Sequence, residues 1–217
     1  MTLRTFLIVT CAAAAMFAHG ARAQEAERYA RVSAGLTNLR DAELEYPDVS
    51  ERDRFASFDN GFAVAGAVGR ALGPTFRIEG EIAYRNNDEA FITPGGGGEG
   101  QASSVAFMAN GYWAPRAGAG RVSPYFGLGI GAAQVTHEGF VDRAFDGTIT
   151  PIADDSGWGF AWQGMAGARV RLSADWAMDV EYRYFSVAEP KIEDADGFIY
   201  DTDYDSHALM IGAVRRF

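Results

Sequence analysis

Two stretches of the chain set acids and bases two residues apart. In FRIEGEIAYR, residues 76–85, Arg77, Glu79, Glu81 and Arg85 share one phase of an alternation, and Phe76, Ile78, Ile82 and Tyr84 share the other. WAMDVEYRYF, residues 176–185, places Asp179, Glu181 and Arg183 on one phase in the same way. Carboxylates and guanidinium groups so spaced can exchange protons, bind ions or neutralise one another. A third run, EDADGFIYDTDYD, spaces Asp194, Asp196, Asp201, Asp203 and Asp205 much as calcium ligands are spaced, yet no glutamate follows at the distance a calcium loop requires.

A period of two belongs to a strand, so the first two stretches each have one apolar and one charged face. In a soluble barrel the apolar face points inward. In a membrane barrel it points out to lipid, and the charges must be satisfied inside. The rest of the chain decides between these.

The N-terminus, MTLRTFLIVTCAAAAMFAHGARAQ, has a positive residue at Arg4, an apolar core from Leu7 to Ala18 and an A-x-A cleavage site at Ala21-Arg22-Ala23. We read residues 1–23 as a cleaved secretory signal peptide, too short to span a bilayer as a helix. Cys11 does not make it a lipoprotein signal, because Thr10 precedes it and it lies within the apolar core. Residues 24–217 then form one domain of 194 residues. The signal holds Arg4 and Arg22 and no acid, so its removal takes the formal charge from −10 to −12. The acidic balance argues against nucleic acid as a partner. The domain has no cysteine, so an extensive sheet or the bilayer itself must stabilise it in place of disulfides.

Eight segments of about ten residues alternate with period two, near 28–38, 60–71, 76–86, 103–114, 123–135, 158–172, 176–187 and 206–217. Tilted membrane-spanning strands need roughly 9–11 residues. The connections 39–59, 87–102, 136–157 and 188–205 are long and polar, and those at 72–75, 115–122 and 173–175 are short. Even strand count and sorted loops predict an all-β fold, an eight-stranded antiparallel up-and-down transmembrane barrel. Its long loops face outside and its short turns face the periplasm. The GGGG run at 95–98 predicts a mobile second loop.

Aromatic placement follows the same plan. Phe76, Trp113, Phe126, Trp176 and Phe217 fall near the short-turn ends of their strands, and Phe62, Tyr84, Phe160 and Tyr184 near the long-loop ends. All lie on the apolar phase, as expected of two girdles at the lipid–water interfaces. The chain finishes HALMIGAVRRF, with Leu209, Ile211 and Ala213 on the phase of Phe217. Arg215 departs from that apolar phase, although its long stem can snorkel.

GFAVAGAVGRALGPTFRIEGEIAYRNND (61–88), VAFMANGYW (105–113), SPYFGLGIGAAQV (123–135) and WAMDVEYRYF resemble the outer-membrane β-barrel family of opacity-type surface proteins and small porin-like proteins. The resemblance covers essentially all of 24–217. It implies an integral outer-membrane protein of a Gram-negative bacterium, with outer-membrane lipids and lipopolysaccharide around it. The terminal strand resembles the one such proteins present to the barrel-assembly machinery, which implies that Phe217 is an assembly signal. Adhesins, complement-evasion factors and proteins of no known role share the family, so it implies no single function.

The charged face of FRIEGEIAYR therefore points inward. Phase places Arg31, Ser33, Gly127, Gly129, Gly131, Gln163, Arg169, Asp179, Glu181 and Arg183 inside with Arg77, Glu79, Glu81 and Arg85. The third and seventh strands lie on opposite walls of a bore only wide enough for side chains. Long acids and bases can meet across it, with Glu79 and Glu81 facing partners among Arg77, Arg85, Arg169 and Arg183, and the inward glycines leave room. Buried charges demand such pairing. We expect a charged plug in a structural or surface-interaction barrel that contacts its surroundings through long acidic loops. The alternatives are a small low-conductance channel gated by those ion pairs and, less favoured, a lipid-active enzyme. The domain has only two histidines. His137 falls in the third long loop. His207 falls on the lipid-facing phase, and its surroundings, SHAL, do not match the H-x-S pattern of barrel-type lipid A deacylases. No catalytic, cofactor or metal residue is expected.

Overall fold

A computed structural model describes residues 27–39, 42–44, 54–58, 60–93, 96–115, 120–144, 148–188, 191–193, 199–201 and 204–217. The signal region lies outside them. So do Asp194, Asp196 and Asp203 of the acidic run.

Eight long strands make the barrel: β1 (Arg28–Leu39), β2 (Asn60–Leu72), β3 (Phe76–Thr93), β4 (Gly96–Trp113), β5 (Val122–Ala144), β6 (Ile149–Arg171), β7 (Trp176–Ala188) and β8 (Tyr204–Arg216). Each pairs antiparallel with the next, and β8 closes the ring on β1 from Tyr29↔Arg216 to Leu39↔Ser206. Closure leaves no barrel strand with an unpaired edge, which a chain in lipid requires because bilayer core offers no water to its amides.

The short connections are tight. Residues 73–75 turn between the paired Leu72 and Phe76, with Gly73 at φ 83°, a left-handed conformation that glycine adopts without strain. At the opposite end the expected loops are largely strand. β3 and β4 pair up to Thr93↔Gly96, so the anticipated loop 87–102 is a hairpin, and Gly96, Gly97 and Gly98 sit in its ladder. β5 runs to Ala144 and β6 starts at Ile149, replacing most of the expected loop 136–157. Polarity misled the sequence reading here. Beyond the bilayer, a hairpin keeps its backbone hydrogen bonds without needing an apolar outer face. Register shifts between Glu99 and Gln101, and again around Phe140, mark where the ladders leave the regular barrel. Four short strands, Ala42–Leu44, Arg54–Phe58, Lys191–Glu193 and Ile199–Asp201, extend the same end.

Side chains sort by phase. Val32, Leu36, Val64, Ile78, Leu128, Ile130, Val180, Leu209 and Ile211 face outward and are exposed, a continuous apolar band that only lipid satisfies. Girdle aromatics bound it. Trp113 stacks near Phe126 at 6.3 Å, and Phe76 pairs in register with Trp113 at the turn end. At the other end Phe62 meets Tyr84 at 6.0 Å, and Trp162 meets Tyr184 at 5.1 Å. Phe160, Trp176 and Phe217 are likewise exposed on the outer surface. Arg215 lies on that surface with its guanidinium 5.7 Å from the Trp176 ring.

Candidate functional site in the barrel lumen

Strand register carries the charged phase of β3 to the middle of the bore, facing that of β7. Glu81 meets Arg183 from the opposite wall through two hydrogen bonds, Nη1 to Oε1 at 2.7 Å and Nη2 to Oε2 at 3.0 Å. Arg183 also donates to Glu181 at 2.6 Å. Arg31 of β1 stands between the two walls, 2.8 Å from Glu79, 3.0 Å from Glu81 and 3.1 Å from Glu181. The side chains of this cluster are no more than 1% exposed. Charge-assisted bonds of this kind are the strong ones, and burial makes each partner necessary to the other.

Neutral donors complete the set. Tyr29 gives its hydroxyl hydrogen to Glu79 at 2.7 Å, Tyr125 gives its own to Glu181 at 2.9 Å, and Gln163 donates to Glu81 at 3.1 Å and Asn110 at 2.8 Å. Towards the turn end, Arg169 forms a bidentate pair with Asp179, both bonds 2.7 Å, and lies over the Tyr29 ring. Arg77 lies over the rings of Tyr112 and Tyr125, at 4.4 and 4.2 Å, with Glu79 3.8 Å away.

The inward glycines of β5 have specific occupants. A Cβ at Gly127 would stand 2.6 Å from the Tyr112 ring; at Gly129 it would collide with Asn110, and at Gly131 with the β4 backbone and Met108. They make room chiefly for the neighbouring strand's interior residues rather than for charges reaching across the axis. Ser33 is buried as its phase requires.

Three residues sit otherwise than expected. Among the described residues Arg85 has no carboxylate within 4.0 Å. It donates one long bond, 3.4 Å, to Gln163 and lies 3.6 Å over the Phe185 ring, although it is only 1% exposed. Four residues along a strand separate it from Glu81, about 13 Å at the usual rise, and Arg183 already holds both oxygens of that carboxylate. Arg169 pairs with Asp179 rather than with a β3 glutamate. His137, expected in a loop, lies in β5 opposite Asp155 in register, with its ring inside the barrel and 6% exposed.

The sequence reading passed over the interior aromatics and an apolar layer. Tyr29, Tyr112, Tyr125, Phe185 and Tyr204 are all buried in the bore. Towards the outer end, Ala102, Ala106, Met108, Ala133, Val135, Ala161, Phe185, Val187 and Tyr204 form one cluster. Phase is the clue on four strands: Tyr29 shares it with Arg31, Tyr125, Ala133 and Val135 with the β5 glycines, Ala161 with Arg169, and Phe185 and Val187 with Arg183, whereas β4 and β8 hold no charged or glycine position already placed inside. His207 faces outward among the Tyr182 and Tyr184 rings, its Nδ1 2.5 Å from the Tyr182 hydroxyl. Among the described residues no cluster of histidine, cysteine, aspartate and glutamate is arranged to hold a metal.

A closed eight-stranded antiparallel barrel with an apolar belt and a charged bore defines the class to which this chain belongs. Residues 7–217 match the model of the outer membrane protein beta-barrel domain family, and the chain is a member of that family. Among solved structures it is similar to Neisserial surface protein A, with 12% identity, TM-score 0.54 and coverage of 88% of this chain and 97% of that one. It is also similar to the outer membrane protein OprG from Pseudomonas aeruginosa, with 15% identity, TM-score 0.61 and coverage of 88% and 96%. At such identities the likeness concerns the fold. No curated protein matches the chain in sequence.

Proposed function

We propose that this barrel is a surface-interaction protein of the Gram-negative outer membrane, acting through its outer end over a closed bore. The supporting observation is the lumen network: Arg31, Glu81, Glu181 and Arg183 are 1–3% exposed and bridge opposite walls, where a pore would need water. In this reading residues 1–23 are removed on export. The short turns face the periplasm, and the long acidic segments meet an extracellular ligand not yet identified. Outer-membrane lipids and lipopolysaccharide surround the belt, and the barrel-assembly machinery reads the strand ending at Phe217. His207, set among outward tyrosines, serves the interface rather than catalysis. A protease added to intact cells producing the protein should cut within 39–59 or 189–203 and leave the strands whole. Cleavage only after the outer membrane is opened would reverse the orientation.

One observation favours a second reading, a low-conductance channel. Among the described residues, five arginines (31, 77, 85, 169, 183) face four carboxylates (79, 81, 179, 181) inside the bore between its mouths, and Arg85 carries the unmatched charge. A pore built on it would prefer anions, and current through planar bilayers distinguishes the two readings.

A further inference from the structure

The lipid-facing surface carries a patch of positive charge at the turn end. Arg28 of β1 and Arg70 of β2 stand directly opposite each other in register. Both are exposed and lie on the outward phase, with Val32 and Leu36 on one strand and Phe62 and Val64 on the other. Arg215 of β8 shares that phase from the other side of β1. It pairs in register with Ala30, which makes it the diagonal neighbour of Arg28. Three adjacent strands therefore present three arginines to lipid, one pair directly opposite and one diagonal.

Like charges directly opposite each other destabilise a sheet. Among the described residues no carboxylate lies within 4.0 Å of Arg28, Arg70 or Arg215 to offset them. Glu27, next in sequence, is taken by Arg216, on the inward phase, at 2.9 Å. Depth narrows the occupant. Arg215 pairs in register with Trp176, and the Phe217 amide donates to the Arg28 carbonyl at 3.0 Å, so the patch lies level with the turn-end girdle, where headgroups are. The charges are all guanidinium, whose fork fits two phosphate oxygens at once and whose stem can lie on apolar surface.

We propose that Arg28, Arg70 and Arg215 bind the phosphate of an anionic glycerophospholipid, of the phosphatidylglycerol class, at the turn-end rim. This rests on the membrane-barrel reading above. With the turns in the periplasm, the lipid belongs to the periplasmic leaflet.

The test uses the folded barrel in nanodiscs of equal parts phosphatidylethanolamine and phosphatidylglycerol, followed by native mass spectrometry of the lipids retained on release. Wild-type protein should retain phosphatidylglycerol over phosphatidylethanolamine by roughly tenfold, the scale expected of a few arginines at an anionic surface. The triple variant Arg28→Gln, Arg70→Gln, Arg215→Gln should lose the preference while keeping heat-modifiable mobility. The variant Arg121→Gln, Arg171→Gln, which removes charge from the mouth of the bore, should keep it. Equal retention of both lipids by wild type would overturn the proposal, as would a triple variant that retains phosphatidylglycerol as wild type does. Displacement of the phospholipid from these arginines by lipopolysaccharide at equal phosphate would overturn the assignment of the lipid class. Sidedness plays no part in this measurement, so an inverted orientation, seen by proteolysis of intact cells, would move the leaflet and leave the retention result intact.

Discussion

The bore has two regions built from the same alternating strands and stabilised differently. From Asp179 to Glu81, arginines and carboxylates interlock, and tyrosine and glutamine donors complete their bonding. Beyond Gln163, Arg85 rests against Phe185 and the apolar layer that includes Val135 and Val187. The contrast shows that side-chain phase decides whether a charge enters the bore, while its level along the strand decides whether it finds a partner. Arg183 and Arg85 are equally buried, yet only one is compensated.

Removing a charge from each region should therefore have opposite effects on stability. Arg183→Met leaves Glu81 and Glu181 short of their shared cation, and Glu81→Gln leaves Arg183 and Arg31 in excess. Breaking a buried pair costs about 3–5 kcal/mol. Urea titration of the barrel in lipid vesicles should show losses of that order for both variants. Asp175→Asn, in the exposed 173–175 turn, should stay within about 0.5 kcal/mol of wild type. Losses for the two network variants no larger than for Asp175→Asn would dissolve the distinction between the regions.

A second way to sharpen it is pH. His137 is buried beyond the outer aromatic girdle, and that burial pushes its imidazole down to about 4. The unfolded chain then takes up the proton near its ordinary value of about 6.5, before the folded barrel does. The histidine's contribution to stability is thus fully present above that value and is lost as pH falls towards 4. The loss is up to about 3 kcal/mol, at roughly 1.4 per pKa unit. His137→Gln should flatten this part of the pH profile relative to wild type, and parallel profiles would place the ring in water.

The smallest effect belongs to Arg85. Arg85→Met removes a buried charge with no carboxylate partner among the described residues, so stability should hold or rise by about 1 kcal/mol. A loss matching that of Arg183→Met would mean that Arg85 is compensated after all.

Much of this architecture was legible in the sequence because bilayer physics writes it in a period of two. FRIEGEIAYR could expose only one of its faces to lipid, and the girdle and belt followed from the same parity. The partners were less legible. Whether Glu81 meets Arg183 or Arg169 depends on stagger between strands distant in sequence, which alternation within one strand does not encode. The loop ends failed for another reason. Thr93 and Gly96 pair in water, where no apolar face is demanded, so the pattern that marks a strand in the membrane fades while the strand continues.

A bore closed by its own side chains is tested most directly by ionic current through single folded barrels in planar bilayers. Wild-type protein should be electrically silent. Glu81→Gln should stay silent while losing stability, because the packed side chains still fill the space. Steady openings in wild type, or openings that grow in size or frequency with Glu81→Gln, would contradict the plug and show that the Glu81–Arg183 contact is a gate.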